Sequence, residues 1–156
     1  MIDDLSIKKI LETTKTIAMI GVSSIKKNEA PTNIIRRPSN IVMKYLLEFG
    51  YKVIPVNPYS KEKTIHGEKV FANLDEISES IDMVNVFRPS AETPDIAKQA
   101  IKIGTRTLWL QYGIQNEETQ KISTEAKVNY IFNRCIKQEY QRLFLKSNPV
   151  FPALKS

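Results

Sequence analysis

The chain has 156 residues, 42% hydrophobic and 26% charged, with 23 Lys and Arg against 17 Asp and Glu for a formal net charge of +6; this is the composition of one globular domain whose core needs no metal or disulfide. One cysteine, Cys135, and one histidine, His66, exclude an internal disulfide, a CxxC metal site and a self-contained His/Cys zinc site. No secretory h-region and no run of about 18 apolar residues occurs, so the expectation is a cytoplasmic protein without membrane contact.

Residues 3–13 place Leu5, Ile7, Ile10 and Leu11 at three- and four-residue spacing behind Asp3 and Asp4, which predicts a short helix with acids at its positive end. Residues 16–24, TIAMIGVSS, follow. The apolar run from Ile17 to Ile20 reads as a strand buried on both faces. Gly21 and the small residues after it read as a loop whose backbone N–H groups can meet phosphate. Residues 25–38 are polar and basic, with Pro31 and Pro38, and a connection of that length generally has a task. Ser39 then reads as the N-cap of a helix carrying Ile41, Val42, Tyr45, Leu46 and Phe49 as far as Gly50.

Residues 51–56, YKVIPV, predict a second strand stopped by Asn57 and Pro58. Pro55 inside it marks either the strand's end or a position whose N–H is not needed. Residues 59–69 read as a polar loop in which His66 is solvated, 70–71 as a brief extended piece and 74–77 as a helical turn. Residues 82–87 predict a third strand running into Arg88 and Pro89, and Thr93 as N-cap with Pro94 behind it opens a helix to Gly104. Residues 107–110 predict a fourth strand running into Gln111, Tyr112 and Gly113, with Trp109 in the core. Asn116 caps the next helix, with Glu117 and Glu118 in its first turn; 130–132 are a fifth strand, 136–144 a closing helix and 146–156 a tail.

Alternation of strand and helix predicts an α/β fold, a doubly wound and mostly parallel five-stranded sheet with helices on both faces. Its ligand crevice lies beyond the carboxyl ends of the strands. The site residues expected there are Gly21, Val22, Ser23 and Ser24 after the first strand with Lys26 and Arg36 in the loop behind them, Asn57, Pro58 and Lys61 after the second, Phe87 and Arg88 after the third, and Gln111 after the fourth.

A NAD-type site needs G-x-G-x-x-G and an acid after the second strand; this chain has the first glycine only, and Asn57-Pro58 in place of the acid. GxxxxGK[ST] and GxSxG are both missing, and carboxylates do not cluster at the strand ends, so no catalytic or metal-ligating set is evident. Hydroxyl, amide and cationic groups remain, which suit a ligand with several phosphates. The bases lie in separate segments, so they read as a solvated surface or a polyphosphate pocket before a nucleic-acid surface. An NADP-linked oxidoreductase and an interaction module with a vestigial nucleotide site stay open as alternatives.

The succession IAMIGVSS, RPSNIVMKYLLEFGYKVIPVNP, IHGEKVFANLDEI, DMVNVFRPSAETPDI, LWLQYGIQNEE and NRCIKQEY resembles the small stand-alone CoA-binding proteins, which are Rossmann-like and similar to the CoA-binding part of the succinyl-CoA synthetase α subunit. The resemblance implies a CoA-binding Rossmann-like domain over residues 1–145, with CoA or acyl-CoA as cofactor and a homo-oligomer or a partner ligase subunit left open. It implies that Gly21, Ser23, Ser24 and the basic loop hold the pyrophosphate, that Asn57, Pro58 and Lys61 lie by the adenosine and its 3′-phosphate, and that Phe87, Arg88 and Gln111 line the crevice. Asn133 and Ile136 stand where the family usually has Asp and Pro, and the loop after Gly21 is longer. Cys135, beside Arg134 and Lys137, reads as a packed residue or as a thiol able to pair with that of CoA.

Overall fold

A computed structural model describes residues 2–23 and 38–145. Ser24, Lys26, Arg36 and the tail therefore lie outside the described residues. Helix α1, Asp4–Thr13, is capped by Asp3, whose Oδ1 accepts from Ser6 N at 2.8 Å. Hydrogen bonding to the charged carboxylate from Ser6, its side chain first and its backbone N–H second, holds Asp3 below its ordinary value. Next come β1, Thr16–Ile20, α2, Pro38–Glu48, and β2, Lys52–Val56, then a small antiparallel hairpin of β3, Thr64–Ile65, and β4, Glu68–Lys69. The chain continues through β5, Met83–Val86, α3, Thr93–Lys102, β6, Thr107–Leu110, α4, Glu117–Glu125, β7, Asn129–Ile131, and α5, Ile136–Tyr140, which widens into a π-helical turn at Gln141–Leu145.

The five main strands are all parallel and lie in the order β2-β1-β5-β6-β7. Successive side chains of β1 fall on opposite faces. Ile17 and Met19 join one core with Ile7 and Leu11 of α1, Met43 and Leu46 of α2 and Ile136 of α5. Ala18 and Ile20 join the other with Ile96, Ala97 and Ala100 of α3. This is the doubly wound, Rossmann-like α/β sheet expected. The chain builds outward from β1 to β2 and then returns to β1's other side for β5, so the strand order reverses between β1 and β5. Ligands of such sheets bind outside the carboxyl ends at that reversal.

Pro55 sits inside β2, opposite Met19. Its carbonyl accepts from Phe71 N on the outer side, at 3.0 Å, so its ring nitrogen also faces away from β1 and the ladder loses nothing. Four local expectations need correction. Helix α2 starts at Pro38, which suits a first helical position, and Ser39 lies inside its first turn instead of capping it. Thr93 is the first residue of α3 behind a 3-10 turn, Ser90–Glu92, and its hydroxyl donates to Ser90 O at 2.7 Å. The stretch 59–69 holds the β3–β4 hairpin, and the fifth strand starts one residue earlier, at Asn129.

Candidate functional site

The ends of β1 and β5 approach closely where the order reverses. Gly21 has φ +95°, and a Cβ on it would stand 2.6 Å from Phe87 O and 3.0 Å from Arg88 Cδ. Only glycine permits this seam. Gly21 N–H donates to Val56 O at 2.8 Å, so it extends the sheet. Val22 is buried, and its carbonyl accepts from Asn57 Nδ2 at 2.9 Å. Ser23 is held at both backbone groups: its N–H donates to Ser39 Oγ at 3.3 Å and its carbonyl accepts from Asn40 Nδ2 at 2.9 Å. Asn57 also accepts from Tyr59 N at 2.9 Å through Oδ1. Its amide thus ties the loop after β2 to the loop after β1.

Gln111 is only 4% exposed. Its Oε1 accepts from Asn85 Nδ2 at 3.0 Å and from Ile136 N at 3.1 Å, joining β5, β6 and α5. Trp109 is fully buried, and its Nε1 donates to Arg134 O at 2.8 Å. Asn133 has φ +55° and accepts from Gly113 N at 2.7 Å. Asparagine tolerates that left-handed backbone, which gives its presence before Arg134 a local cause.

Two depressions flank the reversal. One, of about 490 Å³, is lined by Val42, Phe87, Arg88, Gln111, Ile114 and Cys135, and is mostly apolar. Cys135 is half-buried there, at the residue preceding α5. The other, of about 270 Å³, lies at the ends of β1 and β2 and is lined by Ile20, Val56, Pro58, Leu74, Glu92 and Ile96. Arg88 and Glu92 form a bidentate pair at 3.0 and 2.8 Å, so the pair stands where the depressions adjoin. It raises the Arg88 guanidinium above its ordinary value and pulls the Glu92 carboxyl below its own. The guanidinium also lies 5.5 Å from the Tyr59 ring centroid.

Lys61 and Pro58 are exposed in the segment after β2. A larger hollow of about 750 Å³ runs along the edge strand β7, past Ile2, Lys127 and Tyr130, and gathers none of these residues. Among the described residues, no group of three or more His, Cys, Asp and Glu could hold a metal ion. None of the described helices is long and apolar enough to cross a membrane.

Sequence reasoning missed two contributors. Tyr59, 75% exposed beside Arg88, was signalled only by its place after Asn57-Pro58. His66, taken as solvated, is exposed as expected but also has Nε2 2.9 Å from Asn40 Oδ1 and 3.2 Å from Asn40 O. No local pattern announces a contact 26 residues back along the chain.

Comparison with known proteins bears on this site. A family model described as a CoA binding domain matches residues 15–141. The chain belongs to the CoA-binding domain family. An uncharacterized Bacillus subtilis protein, YneT, is 37% identical over 131 residues, which are 84% of this chain and 89% of that protein. The α subunit of an ADP-forming acetate–CoA ligase I of Pyrococcus furiosus is 27% identical over 121 residues, 71% of this chain and 24% of that subunit. This CoA-binding domain therefore corresponds to about a quarter of the ligase subunit. A hypothetical protein from Pyrococcus horikoshii OT3 superposes with a TM-score of 0.79 at 38% identity, covering 91% of this chain and 92% of its own.

Proposed function

We propose that the protein binds CoA or acyl-CoA across the carboxyl ends of β1, β2, β5 and β6, residues 1–145 forming the binding unit. The observation that carries the reading is the mostly apolar cleft adjoining Arg88 at the strand-order reversal, in a chain of the CoA-binding domain family. CoA pairs a polyanionic nucleotide end with a long, largely neutral arm. The arm suits the cleft past Phe87 toward Cys135, and the adenosine suits the smaller depression beside Pro58. The pyrophosphate then falls to Arg88, to the Ser23 hydroxyl at the end of the Gly21-Val22-Ser23 turn, whose Gly21 and Ser23 N–H groups are already bonded within the protein, and to Ser24, Lys26 and Arg36 beyond it, with Lys61 near the 3′-phosphate. In this reading Asn57 and Gln111 shape the crevice, because their amide oxygens are already bonded within the protein.

Calorimetric titration with CoA, acetyl-CoA, 3′-dephospho-CoA and NADPH at fixed salt tests the proposal. Binding of CoA, weakened by loss of the 3′-phosphate and about 10- to 100-fold by Arg88→Ala, is the expected result, the charged hydrogen bonds of one arginine being worth about 1.5–3 kcal/mol. Binding of NADPH without CoA would transfer the site to a reduced nicotinamide cofactor. A place beside a separate ligase subunit, in a cytoplasm where CoA is present, fits the ligase relative and is part of this reading.

A further inference from the structure

The β3–β4 hairpin turns through two residues, His66 and Gly67, between the paired Ile65 and Glu68. Both have positive φ, +51° and +81°. A two-residue turn with both φ angles positive is the type I′ hairpin, which favours Asn-Gly or Asp-Gly because short polar side chains tolerate the left-handed region. Histidine shares with asparagine and aspartate an enrichment in that region, so the first position is no backbone outlier, and asparagine would serve the turn as well. What the longer imidazole adds is reach to a contact outside the hairpin.

The contact is to Asn40, in the first turn of α2. Asn40 is buried, and its Nδ2 is committed to Ser23 O at 2.9 Å, so its Oδ1 and its carbonyl both face His66 Nε2 as acceptors. The imidazole must then carry its proton on Nε2, and the relay has one direction: His66 donates to Asn40, and Asn40 donates to Ser23. Ser39, one residue earlier on α2, takes the N–H of the same Ser23. Ser23 ends the turn that leaves β1 and is the last residue described before the basic stretch 24–37.

We propose that His66 is a positioning residue for the candidate site, fixing Asn40 and through it the Ser23 backbone, so that the hairpin latches the Gly21-Val22-Ser23 turn. The latch rests on the CoA reading only for the identity of the ligand. Neither His66 nor Asn40 needs to touch that ligand.

Three variants separate the latch from hairpin stability. His66→Asn keeps the preferred turn but is too short to reach Asn40, His66→Gln restores a donor of similar reach, and His66→Ala removes both. The readouts are CoA affinity by calorimetry, amide hydrogen exchange at Ser23 and melting temperature. His66→Asn is expected to melt no lower than the parent, to bind CoA about fivefold more weakly and to exchange the Ser23 amide about fivefold faster, the effect of one hydrogen bond. His66→Gln should recover most of both losses, and His66→Ala should show both losses with a lower melting temperature. An effect of His66→Asn on only one of affinity and exchange, or on neither, overturns the proposal. If the parent protein binds no CoA, the CoA reading falls by itself, and the latch is then judged by exchange: faster with Asn and recovered with Gln supports it, unchanged overturns it.

Discussion

Replacing Gly21 with alanine tests the seam on which the crevice is built. Two costs add. An L side chain at φ +95° costs about 1–2 kcal/mol. The new Cβ would also lie 2.6 Å from Phe87 O and 3.1 Å from Phe87 C, contacts with backbone that no rotamer change relieves. Overpacking of that kind costs about 1–3 kcal/mol, so the sum is about 2–5 kcal/mol. Gly104→Ala is the control, because Gly104 has φ +79° and nothing within 4 Å of its built Cβ. It should carry the conformational cost alone, and the entropy that alanine removes from the unfolded chain is common to both and cancels. Urea unfolding followed by the fluorescence of Trp109, the single tryptophan and fully buried, reads both variants. Gly21→Ala should lose about 1–3 kcal/mol more than the control. Losses within about 0.5 kcal/mol of each other would refute the close approach as the reason for this glycine.

Gln111→Ala should cost about 2–4 kcal/mol in urea unfolding, since it strips the acceptor from the buried Ile136 N–H and weakens the tie to Asn85. Glu92→Gln should tighten CoA binding about two- to fivefold in calorimetry, because Arg88 no longer faces a competing carboxylate. The pH dependence follows from the same pair. Arg88 holds Glu92 below the ordinary glutamate range, so the pair's contribution is fully present above that range and is lost only as pH falls through the lowered value. From about pH 5 to about pH 8 the ratio of the parent and Glu92→Gln affinities should therefore stay constant.

The main strands were legible because each is a short apolar run closed by a residue that stops a sheet: Gly21 after β1, Asn57-Pro58 after β2, Pro89 soon after β5. Locating the crevice followed from strand and helix alternation alone. The β3–β4 hairpin was not legible because two-residue strands show no alternation, although Gly67 marked a turn. Pro38 carried the start signal for α2, yet Ser39 beside it matched a cap equally well. Asn57 and Gln111 stand just past strand ends, where their place in the chain put them, but their partners lie 35 and 26 residues away. A long-range partner decides whether an amide faces ligand or protein, and only the folded chain supplies it.

In the proposed function, with those amides committed, recognition at the described strand ends would fall largely to Arg88, which is already paired. The guanidinium and the Glu92 carboxylate are 28% and 45% exposed, and an ion pair of that kind is worth about 0–1 kcal/mol. An incoming phosphate can accept both guanidinium hydrogen bonds while Glu92 returns to water at little cost, and bidentate arginine–phosphate contacts are among the stronger charge-assisted bonds. The exchange then runs downhill for a phosphate. For a lone carboxylate it is close to neutral, because one carboxylate merely replaces another. On that reading Arg88 favours phosphate over carboxylate, and because the cost of releasing Glu92 is common to both anions, Glu92→Gln should raise both affinities and leave their ratio unchanged. In competition titrations against labelled CoA, pyrophosphate should displace it from the parent far better than succinate does, with the same gap in Glu92→Gln; equal competition by both anions in the parent would remove Arg88 as the discriminating contact.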